Sequence, residues 1–170
     1  MNIRKQSRRG FTLLEVLIVV TILGILAATV LPQFTASNND AKEAALVQNL
    51  QAIRSQIQAY KFQHGGTWPG AGSTTSQAFK DAMLLSSDQK GVTGAVGTKP
   101  LGPYFVGQLP TNPYTNGRGL AIVTNIDTAT PDETLMDGTD VVGWFYSPSE
   151  GRVKANNAEN AANGQPLSKL

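Results

Sequence analysis

The chain contains no cysteine and one histidine, His64, in 170 residues. Without cysteine no disulfide can staple an exported domain and no thiol can serve as a nucleophile. A single imidazole with no thiolate beside it argues equally against a zinc site. Neither a phosphate-cradling glycine loop nor a nucleophile elbow is present. The Ser, Asp and Glu of the loops have no partner base, so an enzyme reading finds no motif to rest on. Charge is sparse, at 15% of residues, and unevenly placed: no Asp or Glu precedes Glu15.

What the chain does have is a long apolar run near its start. At about 1.5 Å per residue, a helix from Phe11 to Leu31 spans the roughly 30 Å hydrocarbon core of a bilayer. Ahead of it, Arg4, Lys5, Arg8 and Arg9 are the only ionisable side chains. Such a cluster holds its end of a membrane helix in the cytoplasm and sends the remainder of the chain across. A secretory signal peptide shares the basic start, but its apolar region is shorter, about 7 to 15 residues. A plain single-span anchor has the right length and no use for Glu15, a carboxylate that costs about 2.5–3.5 kcal/mol inside a membrane and usually has a purpose there.

The order of residues narrows these alternatives. Basic residues, then Gly10, Phe11, Thr12, Leu13, Leu14 and Glu15 resemble the class III leader of type IV pilins and type II secretion pseudopilins. The resemblance implies that a prepilin peptidase cuts after Gly10 and that the new amino terminus, Phe11, is methylated. It makes Glu15 the assembly residue. Pro32 matches the family's helix-bending proline, and Gly24 a frequent family glycine. Physics supplies a role for Glu15: a carboxylate and a neighbouring subunit's Phe11 ammonium in low dielectric relieve each other's desolvation, with an attraction of the order of 4 kcal/mol at 4 Å and an effective dielectric near 20. Thr21, Gly24 and Ala28 form a small-residue stripe on the same helix, which either lets helices approach closely or is simply tolerated.

The sequence pI near 9.0 misleads once the leader is removed. Residues 1–10 hold four of the 14 basic groups and none of the 12 acidic ones, leaving ten against twelve. No nucleic-acid partner is expected from a mature chain that is mildly acidic. Within the resembled family, many pilus subunits close their C-terminal region with a disulfide and major pseudopilins commonly do not, so the absence of cysteine leans toward the latter.

Beyond Pro32, the residues Leu46, Leu50, Ile53, Ile57 and Tyr60 recur at helical spacing, which predicts a core face on a helix from about 34 to 63 that packs against a sheet. Pro32 predicts a bend in one long helix. Gly65 and Gly66 provide its left-handed stop, and His64 at that end is expected to meet free carbonyl groups. Ser76 is positioned to cap a short helix at about 77–85 with Ala78, Phe79, Ala82 and Met83 on its buried side. A second loop is expected from 86 to 103. Gly66, Thr67, Trp68 and Pro69, then Gly102, Pro103 and Tyr104, Leu109 and Pro110, and Asn112, Pro113 and Tyr114 resemble the series that comes after the long helix in major pseudopilins; three prolines rule out a regular strand there. Strands are predicted at 120–124, 141–146 and 152–154, the last two joined by the turn 147–151.

Asp127, Asp132, Glu133, Asp137 and Asp140 crowd the loop between the first two strands. Asp132, Asp137 and Asp140 are candidate calcium ligands, since calcium takes six to eight oxygens, and the resembled family often binds calcium in this region. The spacing of an EF-hand is absent, and solvated turn carboxylates are the competing reading.

The expected fold is α+β: a long bent N-terminal helix, membrane-spanning in its first half, packed on a small antiparallel sheet, type IV pilin-like. The expected divisions are a cleaved leader (1–10), a transmembrane and assembly helix (11–32), its amphipathic continuation (33–64), an exported domain (65–155) and a flexible tail (156–170). The resemblance implies a bacterial inner-membrane protein with a periplasmic domain that polymerises with copies of itself and with minor pseudopilins, on an inner-membrane assembly platform, into a filament assisting protein export. Two alternatives stand beside it. One is a type IV pilus subunit for adhesion, motility or DNA uptake; the other is a membrane-anchored exported binding domain that does not polymerise.

Overall fold

The computed structural model describes residues 10–160 and 166–167, with the backbone alone at 31, 32 and 34–36. Helix α1 covers Leu13–Gln63 and α2 covers Ser76–Leu84. The strands are β1 Ser86–Ser87, β2 Thr93–Gly94, β3 Gly119–Ile122, β4 Met136–Asp137, β5 Asp140–Ser147 and β6 Arg152–Ala155. The chain divides into two compact units at the boundary between Asn39 and Asp40.

In the first unit, Leu13–Val30 is long and apolar enough to cross a membrane, and its large side chains lie exposed. Its hydroxyls turn inward. Thr21 Oγ1 donates to the Ile18 carbonyl at 2.8 Å and Thr29 Oγ1 to that of Leu26 at 3.0 Å, so neither leaves a polar hydrogen unsatisfied in an apolar setting.

The second unit is built on the stripe the spacing predicts. Leu46, Leu50, Ile53, Ile57 and Tyr60 are each no more than 3% exposed and share one core with Phe79, Met83, Trp144, Tyr146, Val153 and Ala155. Each such aliphatic residue contributes about 1.5–3 kcal/mol by leaving water. The polar ends of the aromatics are satisfied by the irregular stretches that cover them: Tyr146 Oη donates to the Pro69 carbonyl at 2.9 Å, and Trp144 Nε1 to that of Pro110 at 2.8 Å. The proline-rich stretch is therefore a packed loop, as expected, and its Gly102–Pro103 bond is cis.

The end of α1 is fixed from several sides. Gly65 and Gly66 take the left-handed conformation (φ 63° and 92°), and the Gly66 N–H returns to the Lys61 carbonyl at 2.9 Å. His64 is buried, stacked on Tyr60 with ring centroids 3.7 Å apart, and bonded through Nδ1 to the Tyr60 carbonyl and through Nε2 to Ser87 Oγ. Trp68 receives the Lys61 ammonium on its ring at 3.8 Å and packs against Gly151, where a Cβ would collide with the indole.

The sheet is centred on β5. Strands β4 and β6 pair with it antiparallel, β6 through the predicted turn, with Trp144 opposite Ala155 and Tyr146 opposite Val153. Strand β3 departs from an all-antiparallel arrangement by running parallel to β5, Leu120 opposite Trp144 and Ile122 opposite Tyr146. The long connection from Val123 to Thr139, in which β4 lies, gives the chain the length a parallel crossover needs, where a hairpin would have forced reversal. Two further expectations are corrected. Helix α2 begins at Ser76 with Thr75 at its cap position, and the Ser76 hydroxyl is drawn away to Asp137. The stretch at 86–103 contains the two-residue pair β1–β2, too short for a periodic signal.

The expected flexible tail meets buried positions at 156, 157 and 167, while 158–160 are exposed; residues 161–165 and 168–170 lie outside the described residues. Asn156, Asn157 and Leu167 are fully buried. Asn156 donates from Nδ2 to the Asp132 and Val142 carbonyls at 2.7 and 2.8 Å and accepts from the Asp132 N–H at 2.8 Å. A buried amide of this kind replaces water for backbone groups that no ladder pairs. Asn156→Ala is expected to reduce unfolding free energy by about 1–3 kcal/mol because those groups lose their partner. Exposed Asn160→Ala is expected to change it by less than about 0.5 kcal/mol. Denaturant titration of the full chain in detergent micelles measures both, and equal effects would disprove a structural role for Asn156.

Candidate assembly site

The first four N–H groups of any helix lack partners within it, and where water is scarce they must be met from side chains. Helix α1 meets part of this with Thr12 and Glu15, which pair two of those N–H groups. The Thr12 N–H and hydroxyl both donate to Glu15 Oε2, at 2.9 and 3.0 Å, while the Glu15 N–H donates to Thr12 Oγ1 at 3.2 Å. This is a capping box, with Thr12 at the cap position and Glu15 three residues on. The capping role of Thr12 is not among the sequence expectations, although Thr-x-x-Glu before an apolar run is its signature. Among the described residues, Glu15 Oε1 accepts no hydrogen bond, so the carboxylate has one oxygen held and one open.

Gly10 and Phe11 precede the helix and are exposed, Phe11 at 88%. The expected cleavage bond thus lies in accessible, non-helical backbone directly before the capped turn. Gly24 sits on the exposed helix with nothing within 4 Å of where a Cβ would stand. No contact in its own unit requires a glycine there. Helix α1 is continuous through Pro32.

The three candidate calcium ligands do not form a cation cage, and no cluster of three or more metal-ligating side chains occurs among the described residues. Asp137 is engaged by protein groups. Its Oδ1 accepts from the Ser76 hydroxyl at 2.6 Å, and its Oδ2 from the Leu120 N–H at 2.8 Å and the Lys80 ammonium at 2.7 Å. Asp132 is turned to Thr134, and Asp140 pairs with Asp137 only as strand neighbours. An internal cation, Lys80, stands against the carboxylate that a calcium ion would have needed. Burial alone would raise the Asp137 pKa, but Lys80, Ser76 and the Leu120 N–H together hold it below the ordinary carboxylate value.

A family model described as the prokaryotic N-terminal methylation motif matches residues 5–31. The chain is similar to type II secretion system core protein G of Klebsiella michiganensis, 39% identical over 61 residues, which are 36% of this chain and 43% of that protein. With core protein G of Vibrio cholerae serotype O1 it shares 31% identity over 123 residues, 68% of this chain and 70% of that one. A fimbrial protein of Neisseria meningitidis serogroup B is 34% identical over 87 residues, 49% of this chain and 51% of its own length. The chain spans about two fifths of several curated relatives it matches, 43% of the Klebsiella michiganensis protein and 39% of that from Dickeya chrysanthemi. No solved structure matches it.

Two outcomes are expected from this geometry. Thr12→Val removes the hydroxyl and weakens the first turn by about 0.5–2 kcal/mol, whereas Thr12→Ser preserves it; amide hydrogen exchange at residues 13–15 in micelles should quicken only in the valine variant. Lys80→Met should lower the melting midpoint, with about 1–2 kcal/mol lost for a half-shielded pair, while calcium or a chelator leaves the wild-type midpoint unchanged. Because the folded Asp137 pKa is depressed, the stability from this pair is complete above the unfolded value of about 4 and is lost as pH falls through the lower folded value. The gap between Lys80→Met and wild type should therefore close in acid, and a calcium-induced rise in midpoint would contradict the assignment.

Proposed function

Because the chain belongs to the type II secretion system core protein G family, we propose that it is a structural subunit of a type II secretion pseudopilus. It is held in the inner membrane with its N-terminus cytoplasmic and its domain periplasmic. A prepilin peptidase cuts after Gly10, and Phe11 is methylated. The mature subunits, with minor pseudopilins, are then stacked by an inner-membrane assembly platform into a periplasmic filament that assists protein export.

The observation that carries this reading is the half-engaged carboxylate of Glu15. Its Oε2 is fixed by Thr12, so the group has a defined direction; its Oε1 accepts no hydrogen bond among the described residues, on an exposed apolar helix. The ammonium created at Phe11 of an adjacent subunit is the complementary charge. In low dielectric an unpaired carboxylate is strongly disfavoured, and a charge-assisted bond across two subunits both relieves it and sets their stagger. The exposed apolar surface of Leu13–Val30 gives the same helix a large area to bury against its neighbours. Similarity to the Neisseria fimbrial protein favours a pilus subunit as the second reading. The greater coverage of the Vibrio core protein G favours the pseudopilus.

Processing and polymerisation are separately measurable. Mass spectrometry of the protein from cells with a prepilin peptidase should show an N-terminal methylphenylalanine at position 11 and loss of residues 1–10. Glu15→Leu should remain in the membrane fraction while sheared filaments disappear. A mature chain that retains its leader, or normal filaments from Glu15→Leu, would refute the proposal.

A further inference from the structure

Among the described residues, strand β6 pairs only with β5, which leaves its other rim as an edge of the sheet. Opposite Val153 stands Tyr146, whose carbonyl is turned away from β6 to accept from the Val123 N–H at 2.9 Å. In the alternation of an antiparallel ladder, Val153 is therefore a residue that exchanges no bonds with β5, and its N–H and carbonyl face outward. The Arg54 guanidinium, reaching across from helix α1, meets that carbonyl at 3.4 Å.

A cleft of about 740 Å³ runs along this rim. Its floor is residues 151–154, one wall is α1 through Arg54 and Gln58, and the other is the loop carrying Ile126 and Asp127. Four residues of strand measure about 13 Å, which gives room for an extended segment of similar length. The charges around the cleft are unequally matched. Arg152 faces both oxygens of Asp127 at 2.9 Å and Glu150 at 3.4 Å. Lys154 donates to the Ala129 carbonyl at 2.6 Å. Arg54 is exposed, and among the described residues its hydrogen bond to Val153 is long and ends on a neutral oxygen. A guanidinium carries five N–H donors in a planar fork suited to a carboxylate, so most of its capacity is unused.

We infer that this cleft binds an extended acidic peptide of another protein, added to β6 as an outer strand. The Val153 N–H donates to a peptide carbonyl and the Val153 carbonyl accepts from a peptide N–H, the main-chain bonds from which strand addition draws its affinity. That exchange releases Arg54 to a carboxylate on the side of the peptide that faces α1. Side chains alternate across a strand, so the acids fall at every second position and the residues between them face the loop at Ile126. A free phosphate would match the guanidinium and make no use of the strand edge. The cleft lies wholly in the unit beginning at Asp40, so binding requires no polymerisation.

The test titrates the full chain, in micelles of a zwitterionic detergent, into a fluorescent hexapeptide of alternating glutamate and threonine, with anisotropy as the readout. Saturable binding is expected, weakened about tenfold by Arg54→Gln through loss of a charge-assisted contact. An unchanged melting midpoint for Arg54→Gln shows that the loss is local. The same peptide methylated on its backbone nitrogens should not bind, nor should one with lysine in place of glutamate. Inorganic phosphate at the peptide's concentration should leave binding intact. Absence of binding by the wild-type chain, or equal affinity in Arg54→Gln, would overturn the inference. So would equal binding of the N-methylated peptide, which leaves charge attraction without strand addition, or of the lysine peptide, which leaves no selection by charge. Displacement by phosphate would make the cleft a plain anion site and overturn it as well.

Discussion

Helix α1 cannot leave Leu46, Leu50, Ile53, Ile57 and Tyr60 in water, and the covering of that stripe orders the residues from Asp40 onward. Strand β5 supplies Trp144 and Tyr146 against it, and β6 adds Val153 and Ala155. Each aromatic brings a polar end that must also be paired. Those ends are why the chain's prolines matter, since the carbonyls of Pro69 and Pro110 lie in loops with no ladder to enter and are free to accept. Hydrophobic burial thus sets where the loops run, and hydrogen bonding sets where they stop.

The apolar part of the same helix obeys a different requirement. There the backbone is satisfied by the helix itself except at its first turn, where Thr12 with Glu15 meets two of the open N–H groups. The carboxylate is consequently not a bare charge awaiting a partner. It is a helix cap with one oxygen held by Thr12 and the other accepting no hydrogen bond among the described residues. A glutamine would keep most of the cap and lose the charge, which separates the two duties chemically.

Features repeated along the chain were legible in its order of residues. The stripe of α1, its glycine stop, the buried side of α2 and the β5–β6 hairpin each depend on neighbours within a few positions. What escaped depends on distant partners. Strand β3 reads as a strand locally, but its direction beside β5 is decided by the whole connection after it. Ser76 has the chemistry of a cap, yet Asp137 competes successfully for its hydroxyl across 61 residues. Asn156 looks like tail composition as long as polarity is taken for exposure; its burial is made possible by backbone groups of Asp132 and Val142 that converge on it. Near the N-terminus, the roles of Gly10, Phe11 and Glu15 are implied by family resemblance alone, whereas the Thr12 cap is readable from helix chemistry in the pattern Thr-x-x-Glu. Asp132, Asp137 and Asp140 are close in sequence, but among the described residues they are not gathered into one cluster, and Lys80 on α2 pairs with Asp137.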